Sequence, residues 1–202
     1  LLPSVIDPLA RRASLIIEPL YFHERTLGCL VMEMGPREGI VYESLAIRVA
    51  QHPSESDEYL VTRLLAYLLE YEEGIVFSRG VSEPEEPAVS VRDLTGAIRT
   101  WIDIGTPDAA RLHKASKAAA RVVVYTHKDP EQFVRRLEGE KIHRADALEL
   151  YAIDRTLVAA LVARLERRMA FSMSITDREL YISIGAETLT GKVTRLRRPG
   201  SA

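Results

Sequence analysis

Cysteine is almost absent from this sequence of 202 residues, and long apolar runs are missing altogether. The single cysteine, Cys29, excludes an internal disulfide framework and is typical of a reducing compartment. No apolar stretch approaches the roughly 20 residues that cross a bilayer, and no positively charged start precedes an apolar core as in a signal peptide. We therefore expect a cytoplasmic protein without a membrane partner.

The sequence also lacks a large excess of either charge, because its formal net charge is only −2. A protein that coats nucleic acid non-specifically needs a basic field, and this composition does not supply one. Basic residues nevertheless gather in four short stretches, so a local basic groove stays open as an interpretation. These stretches are 111–121, 135–144, 164–168 and 195–198. Runs of this kind are most often solvated helix faces.

Several kinds of chemistry lack their residue patterns. The five histidines show no metal-ligand spacing, either among themselves or with Cys29. Cys29 lies in a β-rich run, where packing is a more common role than nucleophilic attack. No glycine-rich phosphate loop is present. The sequence therefore does not predict a zinc site, a cysteine nucleophile or a P-loop.

Apolar periodicity predicts a mixed α/β sheet flanked by helices on both faces. The clearest helix follows His52, with Ser54 as its predicted cap and an apolar stripe from Leu60 to Leu69. A helix capped by Thr106 is predicted to run to about Ala120. The other predicted helices are 132–137 and 156–168; the predicted strands are 45–49, 75–78, 97–104, 121–126, 148–153 and a terminal hairpin, 171–175 with 180–184. We expect the proline- and glutamate-rich segment 82–87 to be an exposed loop.

A family resemblance enters with two phrases near the predicted first helix. Val41-Tyr42-Glu43-Ser44-Leu45, followed by Ala50-Gln51-His52-Pro53-Ser54-Glu55, resembles the signature of the YaeQ family. Further matching phrases follow in the family's order, among them Asp93-Leu94-Thr95-Gly96 and Trp101-Ile102-Asp103-Ile104-Gly105-Thr106-Pro107-Asp108. The resemblance begins at about Gly39 and continues to the C-terminus. It implies a restriction-endonuclease-like core of the PD-(D/E)XK type.

The first 38 residues depart from this family pattern. Residues 15–38 resemble the last hairpin of a GAF-type sensor domain, so we predict two parts: a GAF-like arm over 1–38 and a YaeQ-like nuclease-fold domain over 39–202. The GAF interpretation makes Glu38–Ala50 a helix, and the YaeQ interpretation makes it a strand. We favour the strand, because Ile47 joins the apolar side only at a period of two and Pro53 prevents a smooth join to the next helix.

The nuclease-type resemblance implies a metal site. Such a core carries one acid before a strand, a second acid in the next strand and a lysine two residues later, and the acids hold Mg²⁺ for phosphodiester hydrolysis. Asp93 and Asp103 correspond to the two acids, but Gly105 occupies the place of the lysine. We predict Asp93, Asp103 and Lys114 as catalytic residues, since Lys114 could substitute from the following helix. The predicted Mg²⁺ ligands are Glu58, Asp93 and Asp103, and Glu86 is a rival for the first acid.

Each candidate also has a purely structural interpretation. Asp93 can close a turn with Thr95 and Gly96, and Asp103 can pair with Arg99 or Lys114. Three functional hypotheses follow: a metal-dependent nuclease, a non-catalytic nucleic-acid-binding or regulatory module with the same fold, and a ligand-sensing fragment based on the GAF-like arm. The missing lysine leaves open whether the protein is an enzyme.

Overall fold

The computed structural model describes residues 45, 47, 49–78, 85–166 and 169–197. The GAF-like arm therefore lies outside the described residues, as does most of the 38–50 segment, and the division into two parts stays a prediction. Leu45, Ile47 and Val49 are all buried, as expected of the apolar side of a half-buried strand.

Eight strands and four α-helices make up the described fold. The strands are β1 (Ile75–Phe77), β2 (Val89–Arg92), β3 (Ile98–Ile104), β4 (Arg121–Thr126), β5 (Glu149–Ile153), β6 (Ser172–Thr176), β7 (Glu179–Ile184) and β8 (Glu187–Arg195). The helices are α1 (Asp57–Leu69), α2 (Ala109–Ala118), α3 (Pro130–Leu137) and α4 (Arg155–Val162), with a 3₁₀ turn at Ala145–Ala147.

One sheet contains all eight strands, in the order β1-β2-β3-β4-β5-β8-β7-β6. β3, β4 and β5 are parallel, whereas β1, β2 and β3 form an antiparallel meander. β8 pairs with β7 over most of its length and with β5 at its end, where Ile153 lies opposite Val193. The sheet is therefore mixed, with a parallel centre and two antiparallel wings.

Helices cover both faces, as the periodicity predicts. One apolar cluster joins α1 and α4 to Ile102, Ile104 and Val123, and the second joins α2 and α3 to Trp101 and Val124. Alternation along β3 assigns Ile102 to the first face and Trp101 and Asp103 to the second. The mixed α/β expectation is confirmed.

The element boundaries differ from the sequence prediction at the helix caps. α1 is capped by Ser56 rather than Ser54, and α2 by Asp108 rather than Thr106; both side chains accept a hydrogen bond from a backbone N–H three residues on. α4 ends at Val162, well before the predicted Arg168, although Leu165 still packs against the core. Because Leu165 continues the apolar spacing of α4, the sequence pattern predicted a helix longer than the one that forms.

Two strands, β2 and β8, were not predicted. β2 has only four residues, and Val89, Ser90 and Val91 are all buried, so no alternation marks it. β8 is rich in threonine and charged residues, and few of its side chains are buried. Both strands are defined by their pairing with neighbours rather than by local pattern. Of the helices described, none is long and apolar enough to cross a membrane.

Candidate functional site

The carboxyl ends of the three parallel strands meet at one edge of the sheet. Ile104 at the end of β3 lies beside Tyr125 of β4, and Thr126 lies beside Ala152 of β5. Open α/β sheets commonly bind ligands at this edge, because the loops and helix starts that follow the strands converge there. We call it the carboxyl edge.

Asp103, the second predicted acid, lies near the carboxyl edge and is only 2% exposed. Its Oδ2 accepts from Arg111 Nε at 2.8 Å, and its Oδ1 accepts from Arg111 Nη2 at 2.7 Å. This two-point geometry is the strongest form of carboxylate–guanidinium pair. Both carboxylate oxygens are therefore already bonded to a cation of the same chain.

The start of α2 places Arg111 against Asp103. The Asp108 carboxylate accepts the backbone N–H of Arg111 at 2.8 Å, which fixes the first turn of the helix. Arg111 Nη2 also donates to the Glu86 carbonyl at 2.8 Å, and its guanidinium lies 5.7 Å from the centre of the Trp101 ring. Arg111 thus joins β3, α2 and the segment before β2.

Asp93, the first predicted acid, lies at the opposite end of the β2–β3 hairpin. Its Oδ1 accepts from the backbone N–H of Thr95 at 2.8 Å and of Ala97 at 3.0 Å, and it is fully exposed. These bonds, together with one from the Thr95 hydroxyl, lower the pKa of Asp93. Asp103 is six residues beyond Ala97 on an extended strand, about 20 Å away. The structure does not bring Asp93 and Asp103 together.

Within the described ranges, neither Lys114 nor Glu58 forms an ion pair or a hydrogen bond with Asp103. Lys114 forms an ion pair with Glu85, and both side chains are largely exposed. Glu58 is exposed in the first turn of α1, on the other face of the sheet from α2. Hydrogen bonds from its own backbone N–H and from the Ser56 hydroxyl lower its pKa. The catalytic and metal-binding roles assigned to these residues stay predictions.

Gly105 follows the last residue of β3 and has a backbone conformation that lysine rarely adopts. Its φ is +85°, and its N–H donates to the Tyr125 carbonyl at 2.9 Å. A lysine there would carry the strain of a left-handed conformation, of order 1 kcal/mol or more. The departure from the nuclease-type pattern is therefore part of how this chain leaves the sheet. Throughout the described ranges, no group of three or more His, Cys, Asp or Glu side chains could hold a metal ion.

Sequence reasoning missed a second buried ion pair beside the first. Arg63 of α1 is 1% exposed and its Nε lies 3.1 Å from Glu55 Oε1. Arg63 Nη2 also donates to the Ala50 carbonyl at 2.6 Å, while the backbone N–H of His52 donates to Glu55. Arg63 is three residues after Leu60 and therefore lies on the apolar stripe of α1. A charged residue on a buried helix face indicates a buried ion pair, and the sequence offered this indication.

Tyr59 is close enough to both ion pairs for their charges to act on its hydroxyl. Burial raises its pKa to about 12, and the nearby negative charges of Glu55 and Asp103 act in the same direction, while Arg63 and Arg111 oppose them. The tyrosine therefore stays protonated at neutral pH. The charges of Asp103 and Arg111 thus influence a side chain in the first turn of α1.

The fold defines a mixed α/β protein with a polar cluster at the carboxyl edge of its parallel strands. The family model described as YaeQ protein matches residues 33–193. The chain belongs to the YaeQ family.

Relatives and solved structures agree with this assignment. The uncharacterized protein YaeQ of Escherichia coli K12 is 29% identical over 155 residues, 76% of this chain and 86% of that protein. The crystal structure of a YaeQ protein from Pseudomonas syringae is similar with a TM-score of 0.72 and 25% identity, over 82% of this chain and 93% of that one. The crystal structure of a YaeQ protein from Xanthomonas axonopodis pv. citri is similar with a TM-score of 0.66 and 29% identity, over 94% of this chain and 98% of that one.

Proposed function

We propose that this protein is a cytoplasmic, non-catalytic binding or regulatory module that keeps a restriction-endonuclease-like core, with nucleic acid as its ligand class. One observation carries the non-catalytic part: both oxygens of the buried Asp103 are bonded to Arg111. The negative charge of this carboxylate is already paired with the Arg111 guanidinium, so a metal ion would have to compete with Arg111 for it. The nucleic-acid ligand and the nuclease-type core rest on the family resemblance alone.

Metal-dependent nuclease activity remains the second candidate, and one observation favours it. Glu86, the rival first acid, precedes β2 at the same end of the hairpin as Asp103, because Val89 of β2 pairs with Ile102 of β3. Its carbonyl and Asp103 share the Arg111 guanidinium. An acid before one strand and an acid in the next therefore lie at one end of the sheet, with Arg111 between them. In this interpretation Mg²⁺ would have to compete with Arg111 for the Asp103 carboxylate.

The experiment compares the wild type with Asp103→Asn, Arg111→Gln and the exposed control Lys117→Gln. Mg²⁺ and Mn²⁺ binding is measured by calorimetry, and cleavage of labelled DNA and RNA is followed with each metal. The proposal predicts no turnover in any variant and a nucleic-acid affinity that falls as salt rises. Metal-dependent cleavage by the wild type, abolished in Asp103→Asn, would establish the nuclease instead. Absence of binding to any nucleic acid at low salt would remove the proposed ligand class.

Arg111→Gln separates the two candidates further. If Arg111 occupies a latent metal site, the variant gains divalent-metal affinity that the wild type lacks, and Lys117→Gln does not. If Asp103 and Arg111 are only structural, the variant loses stability and gains no metal affinity. The second result is the one we expect.

A further inference from the structure

His127 is buried at the carboxyl edge, and its ring has no hydrogen-bond partner in the described part of the chain. It follows β4 directly and is 5% exposed, and neither ring nitrogen has a partner among the residues that the structure describes. A buried donor or acceptor left without a partner costs about 1–3 kcal/mol. Such a group calls for a physical explanation, and a ligand that supplies the missing bond is one.

Two exposed cations leave the sheet next to His127. Lys128 follows it in the turn after β4, and Arg155 begins α4 two residues after the end of β5. Thr126 lies beside Ala152 in the parallel register, on strands about 5 Å apart, and the two cations follow just beyond the ends of these neighbouring strands. Neither cation forms an ion pair with a residue in the described ranges, in contrast to Arg111, Arg121 and Arg164.

Local hydrogen bonds hold these groups in place. The Lys128 backbone N–H donates to the Thr126 hydroxyl at 3.0 Å, which makes a tight turn around His127. The Asp154 carboxylate accepts from the Thr156 backbone N–H at 2.8 Å and from the Thr156 hydroxyl at 2.7 Å. Asp129 and Asp154, which cap α3 and α4, therefore accept hydrogen bonds from their own helices. Neither acid forms an ion pair with Lys128 or Arg155 in the described ranges.

The charges that act on His127 come from three elements. Burial lowers its pKa to about 4, Lys128 and Arg155 lower it too, and Glu58 of α1 acts in the opposite direction. The imidazole is therefore neutral at physiological pH. It has one N–H to donate and two cations beside it.

We propose that His127, Lys128 and Arg155 form a binding site for a phosphate group, carried by a phosphorylated small molecule or by the end of a nucleic acid. The two cations neutralise the phosphate, and the imidazole N–H donates to one of its oxygens once the covering side chains move aside. Glu58, which faces the same imidazole, accepts from a hydroxyl or amino group of the ligand and disfavours a ligand that is only an anion. The site lies on the α1 and α4 side of the sheet, away from Asp103 and Arg111, and stands whether or not the proposed function does.

The test uses the full chain and four probes: inorganic phosphate, adenosine monophosphate, an oligonucleotide with a 5′-phosphate and the same oligonucleotide with a 5′-hydroxyl. Affinities are measured by calorimetry for the wild type, Lys128→Ala and Arg155→Ala. Arg136→Ala and Lys141→Ala are matched controls, because both are exposed cations on the opposite face. We expect at least one phosphate-bearing probe to bind, with about a tenfold loss in each site variant and no change in the controls.

Nitrogen NMR of the histidine side chains supplies a readout that a structural role would not give. The bound phosphate should shift the His127 ring nitrogens and raise the imidazole's titration midpoint, since an anion now offsets Lys128 and Arg155. Glu58→Gln should bind inorganic phosphate more tightly. Absence of binding by every phosphate-bearing probe overturns the proposal, as does binding that is indifferent to both Lys128→Ala and Arg155→Ala.

The outcomes separate this site from the proposed function. Adenosine monophosphate bound through Lys128 and Arg155, with no oligonucleotide binding, supports the phosphate site and removes nucleic acid as the ligand class. Both oligonucleotides bound equally in the wild type and in the two site variants, with no adenosine monophosphate binding, overturns the phosphate site and leaves the proposed function standing.

Discussion

At the scale of single residues, this protein treats its buried polar side chains in two ways. Asp103 and Glu55 each have an arginine partner, and the arginines in turn donate to backbone carbonyls. His127 has neither. Paired groups add structural specificity and are costly to separate, whereas an unpaired one makes stability depend on its protonation state.

Acid should destabilise the protein through His127. Its pKa falls from about 6.5 in the unfolded chain to about 4 in the folded state, so the folded protein binds fewer protons. The stability it contributes is fully present above pH 6.5 and is lost as pH falls towards 4, by up to about 3 kcal/mol. Urea unfolding of the wild type and His127→Leu at pH 7 and pH 4.5 measures this difference. The exposed control His143→Leu should lose as much stability between pH 7 and pH 4.5 as the wild type. A loss of the same size in His127→Leu would contradict the prediction.

Asp103 and Arg111 should be energetically coupled. Asp103→Ala leaves a guanidinium that is 28% exposed, so water recovers part of the loss and we expect a cost of about 2 kcal/mol. Arg111→Ala leaves a nearly buried carboxylate and should cost more. A double-mutant cycle in urea should give a coupling free energy of about 1–2 kcal/mol. Additive effects of the two changes would show that the pair contributes no net stability.

At the scale of elements, helix starts and strand turns are set by short polar contacts. Ser56, Asp108, Asp129 and Asp154 each cap one of the four helices with a side-chain oxygen. Asp93 does the same for the turn between β2 and β3. Asp93, which the sequence predicts as catalytic, closes this turn in the structure, and its catalytic role stays a prediction.

Gly74→Ala should destabilise the β1–β2 pair strongly. Gly74 has φ of +86°, and a Cβ there would lie 2.2 Å from the Arg92 carbonyl oxygen. Because that oxygen belongs to the paired strand, β1 must shift, and we expect a loss above about 2 kcal/mol. Gly139→Ala is the matched control, since its φ is +77° and no atom of the described residues lies within 4 Å of the added Cβ. Equal losses in thermal unfolding would show that the backbone angle alone matters.

At the scale of the whole molecule, two features join the parallel centre to its surroundings. Arg121 bonds Glu149 on β5 and Glu70 at the end of α1, and Tyr125 donates to the same Glu70 at 2.7 Å. β8 pairs with both β5 and β7. The described elements therefore share one sheet and should unfold together.

Leu180→Ala in β7 tests this cooperativity. Leu180 is fully buried, and its truncation should cost about 2–4 kcal/mol. Trp101 lies in the core on the other face, so its fluorescence reports the α2 and α3 side. We expect fluorescence and far-ultraviolet circular dichroism to show coincident transitions with the same lowered midpoint. A fluorescence midpoint that stays at the wild-type value would show that the β6–β8 wing unfolds separately.

By itself the sequence determined the mixed α/β class, the family and most of the helices and central strands, because apolar periodicity and motif order are local properties of the chain. It also placed Asp103 and Trp101 on the same side of β3. The partner of Asp103, the separation of Asp93 from Asp103 and the existence of β2 and β8 depended on the tertiary structure. Each of these is a relation between segments that are distant in sequence or at opposite ends of a hairpin, and strand pairing and side-chain burial, rather than local pattern, decide which of them meet.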